Sequence, residues 1–413
     1  MTADRRAAAD VALRIADALA DPVEVARALP PDRGHTLCDG LAGTALLHAA
    51  LADAVPGSAA RALAHWRLAA ETLGAARPDG VYRGPGGLAA SLTVGAGSVF
   101  RDEPPGDAVR DAVRWLAARA QALAARAEAL EAHPWPGPVH DVMSGLTGIG
   151  RVLLAAHGSG LAAESASGLT AALSTLTRMV LDGTPDRPGR WRPAGRWPGP
   201  VPGHPGGGAV TGMAHGIAGP LALLALAETT GPPLPGRRAA VRVAADWLVA
   251  VREGGSWPPR VTGAGAGSGS GPRNGRRDAW CYGAPGIARA LGPASAALGD
   301  PAYARLADQV LTASAGRPAA GWDTVGPGLC HGSAGVLVCA LRAGHRTLAR
   351  SAARVTVDLA AEASRGPSGL PAAGGTGLGF LNGAAGTCLA LAQYAGLLPR
   401  SLAVPWDCLL LNA

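Results

Sequence analysis

A short element, Gly-x-x-Gly followed by an apolar run, recurs seven times along the 413 residues of this chain. It stands at residues 40–43, 84–87, 145–148, 216–219, 283–286, 332–335 and 383–386. Successive first glycines lie 44, 61, 71, 67, 49 and 51 residues apart. One such element means little. Seven of them, each opening a helix-like run such as Pro220-Leu221-Ala222-Leu223-Leu224-Ala225-Leu226, mark an internal repeat. A chain of this length ordinarily divides into two or three domains. A repeat fold instead grows by adding units, so one domain over 1–413 is expected.

The runs that follow the glycines are apolar nearly all round, which marks them as buried helices. Between them lie amphipathic stretches. In 107–131 the positions Val109, Val113, Leu116, Ala120, Leu123, Ala127 and Leu130 share one helical face, and 238–252 and 349–363 behave similarly. Seven buried helices alternating with seven half-exposed ones predict an all-α fold, an α/α toroid with an inner ring wrapped by an outer one. Aromatic residues are only 4%, so Leu, Val and Ala must build most of the core. The glycines are expected to let the chain turn tightly into each inner helix and let neighbouring helix starts approach. All inner N-termini then converge on one end of the ring, where their dipoles favour thiolates and other anions.

All 37 basic residues are arginine, which excludes lysine Schiff-base and lysine general-base chemistry. The net charge of +7 is modest, and Arg110, Arg114, Arg119 and Arg126 fall on the expected outer face of a helix, so nucleic-acid binding is not indicated. Six cysteines in so long a chain do not suggest a disulfide scaffold. Residues 1–22 carry Asp4, Arg5, Arg6, Asp10, Arg14, Asp17 and Asp21, which reads as a charged amphipathic helix and not a signal peptide. No apolar run reaches the ~18 residues of a membrane span. A cytoplasmic setting, where thiolates stay free to bind metal, is expected. Residues 182–208, rich in Pro, Gly, Arg and Trp, are expected to form a loop or a small β insertion. Residues 263–275 are Gly/Ser-rich and read as low-complexity drift, with a lid over the site as the alternative.

Two of the repeats carry unusual residues at the helix start: Trp280-Cys281-Tyr282-Gly283 and Cys330-His331-Gly332. Cys281, Cys330 and His331 share a relative place in successive repeats, so a toroid brings them together. Two cysteines and a histidine are the borderline-soft set that zinc takes when a fourth position stays open for chemistry. Cys339, Cys388 and Cys408 lie within or after apolar runs and read as core; Cys38, at a helix start, reads as core or spectator. His215 immediately precedes its own Gly-x-x-Gly and should face the same end of the ring, where it can move protons. Asp141 lies four residues ahead of Gly145, where a carboxylate can orient a histidine or accept from a substrate amide. Tyr282 follows Cys281 and Arg277 lies four residues before it. His35, His48, His65, His133, His140, His157, His204 and His345 read as surface or local contacts.

Ala214-His215-Gly216, Cys281-Tyr282-Gly283, Cys330-His331-Gly332 and the seven Gly-x-x-Gly elements together resemble the lanthionine cyclase (LanC-like) family. The resemblance spans the chain from Gly40 to the final Pro405-Trp406-Asp407, at the length of a free-standing cyclase. It implies the α/α toroid, often with a small β-containing insertion. It implies Zn2+ held by Cys281, Cys330 and His331, with the fourth position taken by a substrate cysteine sulfur. His215 is then the proton-transfer residue, and Asp141, Tyr282 and Arg277 match the remaining site positions. The implied substrate is a dehydrated precursor peptide and the implied partner a dehydratase, with membrane-associated assembly left open. Two further readings stand beside it: addition of a small thiol such as glutathione to dehydrated residues, and a peptide-binding scaffold without catalysis.

Overall fold

The computed structural model describes residues 2–30, 32–74, 76–77, 79–101, 103–129, 137–182, 208–262, 277–363, 377–399 and 404–413. Seven helices form an inner ring: α3 (Leu41–Ala50), α5 (Gly84–Val99), α8 (Leu146–Gly158), α10 (Ala218–Thr230), α12 (Ala284–Leu298), α14 (Ser333–Arg342) and α16 (Ala384–Ala395). Each packs on the next, and α16 closes the ring against α3. Outside them lie α4 (Ser58–Glu71), α6 (Asp107–Glu128), α9 (Ala162–Leu181), α11 (Arg237–Ala250), α13 (Pro301–Ala315) and α15 (Arg346–Ala363). The seventh outer helix is α1 (Ala3–Ala18), which packs on α15 and α16 and so completes the outer ring from the opposite end of the sequence. Two short helices, α2 (Pro22–Arg27) and α7 (Gly137–His140), lie in connections.

The two helix classes follow from their sequences. Inner helix α3 buries all ten of its residues. Outer helix α6 buries the stripe Val109, Val113, Leu116, Ala120, Leu123 and Ala127, while Arg114 and Arg126 face water. Burying a Leu or Val side chain is worth roughly 1.5–3 kcal/mol, so the stripe fixes which face of α6 turns inward.

The repeat glycines carry the inner-ring geometry. In six of the seven repeats a Cβ on the second glycine would lie 1.8–2.6 Å from the carbonyl oxygen six residues earlier, as at Gly43 with Leu37, Gly148 with Val142, Gly286 with Trp280 and Gly386 with Phe380. Backbone so close leaves no room for a side chain. The second repeat departs from the expected register by one residue. There the glycine against the carbonyl is Gly86, facing Gly80, and the helix is capped by Arg83, so 83–86 and not 84–87 is the structural counterpart.

Backbone hydrogen bonds string the repeats together at the end where the inner helices begin. Leu381 N donates to Cys38 O, Cys38 N to Tyr82 O, Val142 N to Ala214 O, Ala214 N to Cys281 O, Cys281 N to Cys330 O and Cys330 N to Leu381 O, at 2.9–3.3 Å. Among the described residues this belt links six of the seven joints between repeats.

Residues 404–413 fill the ring's axis. Their carbonyls have few partners of their own, and inner-ring side chains supply them. Tyr82 Oη donates to Leu409 O at 2.6 Å, Trp280 Nε1 to Leu410 O at 2.7 Å and Arg289 to Asn412 O at 2.8 Å. Arg342 forks onto the fully buried Asp407 with two bonds of 2.6 Å.

A two-stranded antiparallel ribbon, β1 (Gly208–Val210) with β2 (Arg260–Thr262), pairs Ala209 with Val261. It sits at the edge of the expected 182–208 insertion, of which 183–207 lies outside the described residues, as does 263–275. No helix among the described residues is long and apolar enough to cross a membrane.

Four of the histidines read as surface or local contacts are instead buried, His35 and His140 nearly so and His48 and His65 completely. His48 Nε2 donates to Leu19 O at 2.8 Å, and His65 lies 2.7 Å from Thr44 Oγ1 and 3.4 Å from Ala20 O. Their rings, 5.1 Å apart, hold the end of α1 against α3 and α4. A period-based reading assigns the apolar positions and passes over a polar ring that the packing encloses. Burial lowers both to about 4. The unfolded chain takes up these protons near pH 6.5, the folded one only near 4. Stability is therefore complete above pH 6.5 and is lost as pH falls to 4, by about 3 kcal/mol per ring. Urea midpoints measured across this range should drop for the native chain and by about half as much for His48→Leu, which keeps His65; a drop of equal size in both would contradict this origin.

Candidate metal centre

Cys281 and Cys330 each stand two residues before the glycine that caps α12 or α14. The belt bond Cys281 N to Cys330 O, 3.1 Å, joins the two segments directly. At Gly283 the chain turns through φ 113, and a Cβ there would lie 1.5 Å from Arg277 O, so only glycine allows this entry into α12. As a result the ligand atoms of Cys281, Cys330 and His331 all lie within 4.8 Å of one another. Cys281 is buried, and Cys330 and His331 are half-buried. The set fits zinc: two soft thiols and an imidazole, close enough for one ion, with no fourth His, Cys, Asp or Glu among the described residues joining them. The thiols are also a coupled pair. The Cys281 thiol is held low, first by its hydrogen bond with Cys330 and then by His331 and Arg277, while Cys330 is pushed up by the same bond and by burial.

The His215 segment packs on the Cys281 segment through the belt bond Ala214 N to Cys281 O, 3.3 Å. His215 Nδ1 lies 2.8 Å from Asp141 Oδ2. The other oxygen of that buried carboxylate accepts from Ser144 N at 2.7 Å and Gly145 N at 3.0 Å. These two bonds at the start of α8 lock the carboxylate, and the carboxylate in turn fixes the imidazole with Nδ1–H as donor. Tyr282 lies beside it, ring centroids 6.5 Å apart. Burial, and next the charge of Cys281, push the Tyr282 phenol well above its ordinary value, so it stays a hydrogen-bond donor. Arg277 donates Nε–H to Asp323 at 3.2 Å. All seven residues singled out in the sequence thus sit on one end of the ring, in repeats three to six.

The remaining thiols divide as expected. Burial pushes Cys339 up to about 12 and Cys408 to about 11, and Cys388 higher still. Cys38 holds the same repeat position as Cys281 and Cys330, yet its neighbour is Asp39, 3.2 Å from its sulfur, where theirs is each other. Burial and that carboxylate raise it to about 12, leaving a neutral thiol. Beside it a polar cavity of about 410 Å³ is lined by Arg33, Asp39, Arg77, Asp79 and Arg83. Sequence reasoning missed Asp323 and the buried Asp278, which pairs with Arg317 beneath the Cys281 segment. Single acidic residues in loops carry no periodic or motif signal.

The family model for lanthionine synthetase C-like proteins matches residues 31–405. The chain belongs to that family. The lanthionine synthetase C-like match includes all seven repeats and every residue of the site. Among solved structures, nisin cyclase is similar, with a TM-score of 0.72 at 19% identity over 92% of this chain and 93% of that one. At that identity the likeness establishes the shared toroid. No curated protein matches in sequence.

Proposed function

We propose that this lanthionine synthetase C-like chain is a zinc-dependent cyclase, acting as one domain on a dehydrated precursor peptide delivered by a dehydratase in the cytoplasm. A peptide cysteine sulfur adds to the β-carbon of a dehydroalanine or dehydrobutyrine in the same peptide. One C–S bond forms, the Cα–Cβ π bond is consumed, the thiol proton leaves and a proton arrives at the α-carbon. The observation that carries the reading is the convergence of two thiols and an imidazole, with no fourth His, Cys, Asp or Glu joining them among the described residues, beside a carboxylate-anchored histidine.

Cys281, Cys330 and His331 would hold zinc, which when bound would supply the Lewis acidity that lets an incoming thiol ionise at neutral pH. His215, its Nδ1–H committed to Asp141, exchanges protons through Nε2 and returns one to the α-carbon. Arg277 donates to the carbonyl oxygen on which enolate charge grows, and the protonated Tyr282 phenol is a second donor at the same mouth.

The addition leaves the peptide's mass unchanged, so the test counts thiols. Dehydrated peptide incubated with the zinc-loaded protein should lose one alkylatable cysteine per ring, and a chelator should abolish the loss. Thiols that persist would overturn the reading. Thiols that persist while the mass rises by added glutathione would favour small-thiol addition instead.

A further inference from the structure

We propose that Asp323 aims Arg277 and is thereby a positioning residue for the reaction proposed above, a reading on which this inference rests. Asp323 ends the short 3-10 turn Ala319–Trp322 in the left-handed region, at φ 53 and ψ 38. Among the described residues only one other non-glycine, Leu411, has a positive φ. Such a conformation is disfavoured for side-chain-bearing residues, and Asp and Asn tolerate it best.

The loop around Asp323 is fastened to both ligand-bearing segments. On one side Asp278 N, three residues before Cys281, donates to Trp322 O at 2.8 Å. On the other Val325 N donates to the carbonyl of His331, also at 2.8 Å. The Trp322 indole is fully buried, with Nε1 on Ser314 O at 3.0 Å. The carboxylate of Asp323 is therefore held at a fixed place relative to all three ligands, and it accepts from Arg277 Nε at 3.2 Å.

Stability does not account for this contact. The two side chains are 34% and 61% exposed, and pairs so exposed contribute little. Orientation does account for it. Arg277 lies four residues before Cys281, and its backbone carbonyl stands against Gly283 at the entry into α12, so its side chain springs from the ligand-bearing segment. Asp323 takes up Nε, and on this proposal that leaves the terminal N–H groups to a substrate carbonyl. Val325 in the same loop, 56% exposed, adds an apolar lip beside His331.

Asp323→Asn separates the charge from the backbone, because Asn also tolerates the left-handed conformation. Zinc content should stay at the native level and KM within about twofold, while kcat falls on the order of 10-fold to 100-fold, the loss expected when a donor is misplaced by about 1 Å. In an Arg277→Ala background the same substitution should have no further effect. In metal-free protein the Arg277 Nε–H, assigned by its disappearance in Arg277→Lys, should be protected from solvent exchange, and that protection should fall in Asp323→Asn, whose neutral amide oxygen is the weaker acceptor. Native kcat in Asp323→Asn, or losses that add in the double variant, would overturn the proposal. If the native protein makes no thioether at all, the cyclase reading falls and the catalytic part of this one with it, whereas the exchange measurement still decides whether Asp323 holds Arg277.

Discussion

Cys330→Ala protein should purify folded but without bound zinc, with thioether formation lowered on the order of 10³-fold or more. Folding survives because the belt bonds at this position, Cys330 N to Leu381 O and Cys281 N to Cys330 O, are made by backbone atoms that alanine retains. Metal binding does not survive, because two ligands cannot hold a zinc ion that three hold with one position open. Cys38→Ala is the matched comparison. Cys38 has the same place in its repeat but carries a neutral thiol facing Asp39, so zinc content and rate should both remain native. The coupled thiols also set a pH dependence. Cys330 keeps its proton in the metal-free pair, so the cation must displace it, and apparent zinc affinity should fall about tenfold for each unit that pH is lowered below neutral. Metal analysis of the two variants, with competitive zinc titrations at three pH values, checks all three expectations. Equal zinc loss in Cys38→Ala and Cys330→Ala would remove the assignment of ligands.

His215→Ala should keep its zinc and lose between about 10² and 10⁴ in rate, the usual contribution of a general acid–base group. Asp141→Asn should approach the same loss by a different route. Its Oδ1 can still cap Ser144 N and Gly145 N, so the start of α8 is preserved. The amide that replaces Oδ2 is a donor, and it would impose the opposite imidazole tautomer on His215. The double variant should be no slower than His215→Ala alone, because both changes disable one unit. Additive losses would mean that Asp141 acts on substrate independently of His215. A native rate in His215→Ala would exclude it from proton transfer.

Much of this molecule was legible because its repeats write the same instruction seven times. The apolar runs gave the inner helices, and the stripe in 107–131 gave the buried face of α6. Cys281 and Cys330 can be joined from the sequence because they share a repeat position, with His331 beside the second, and position in a repeat is position in the ring. Other features depend on contacts between distant parts of the sequence and carry no local signature. The shift of the second repeat to 83–86 shows only in which glycine meets the carbonyl of Gly80. His48 and His65 look polar in sequence and are enclosed only once α1 closes the outer ring. Asp323 becomes meaningful through Arg277, forty-six residues away. The filling of the axis by 404–413 relies on Tyr82, Arg151, Trp280, Arg289 and Arg342, each from a different stretch of chain.

Under the cyclase reading, the hydrogen-bonded belt bears on how one protein could close more than one ring. Every ligand-bearing segment is a link in the same annulus, so none can swing aside without breaking the bond to its neighbour. A hinged enzyme could close around each cysteine of a peptide in turn. On that reading this chain would instead offer a fixed rim with a single place for an incoming sulfur. Under the cyclase reading, a peptide with several cysteines must itself move between turnovers, letting go of the rim and returning in another pose. The order and pairing of its thioethers would then be written in the folding preferences of the peptide, with the protein acting as a stationary die.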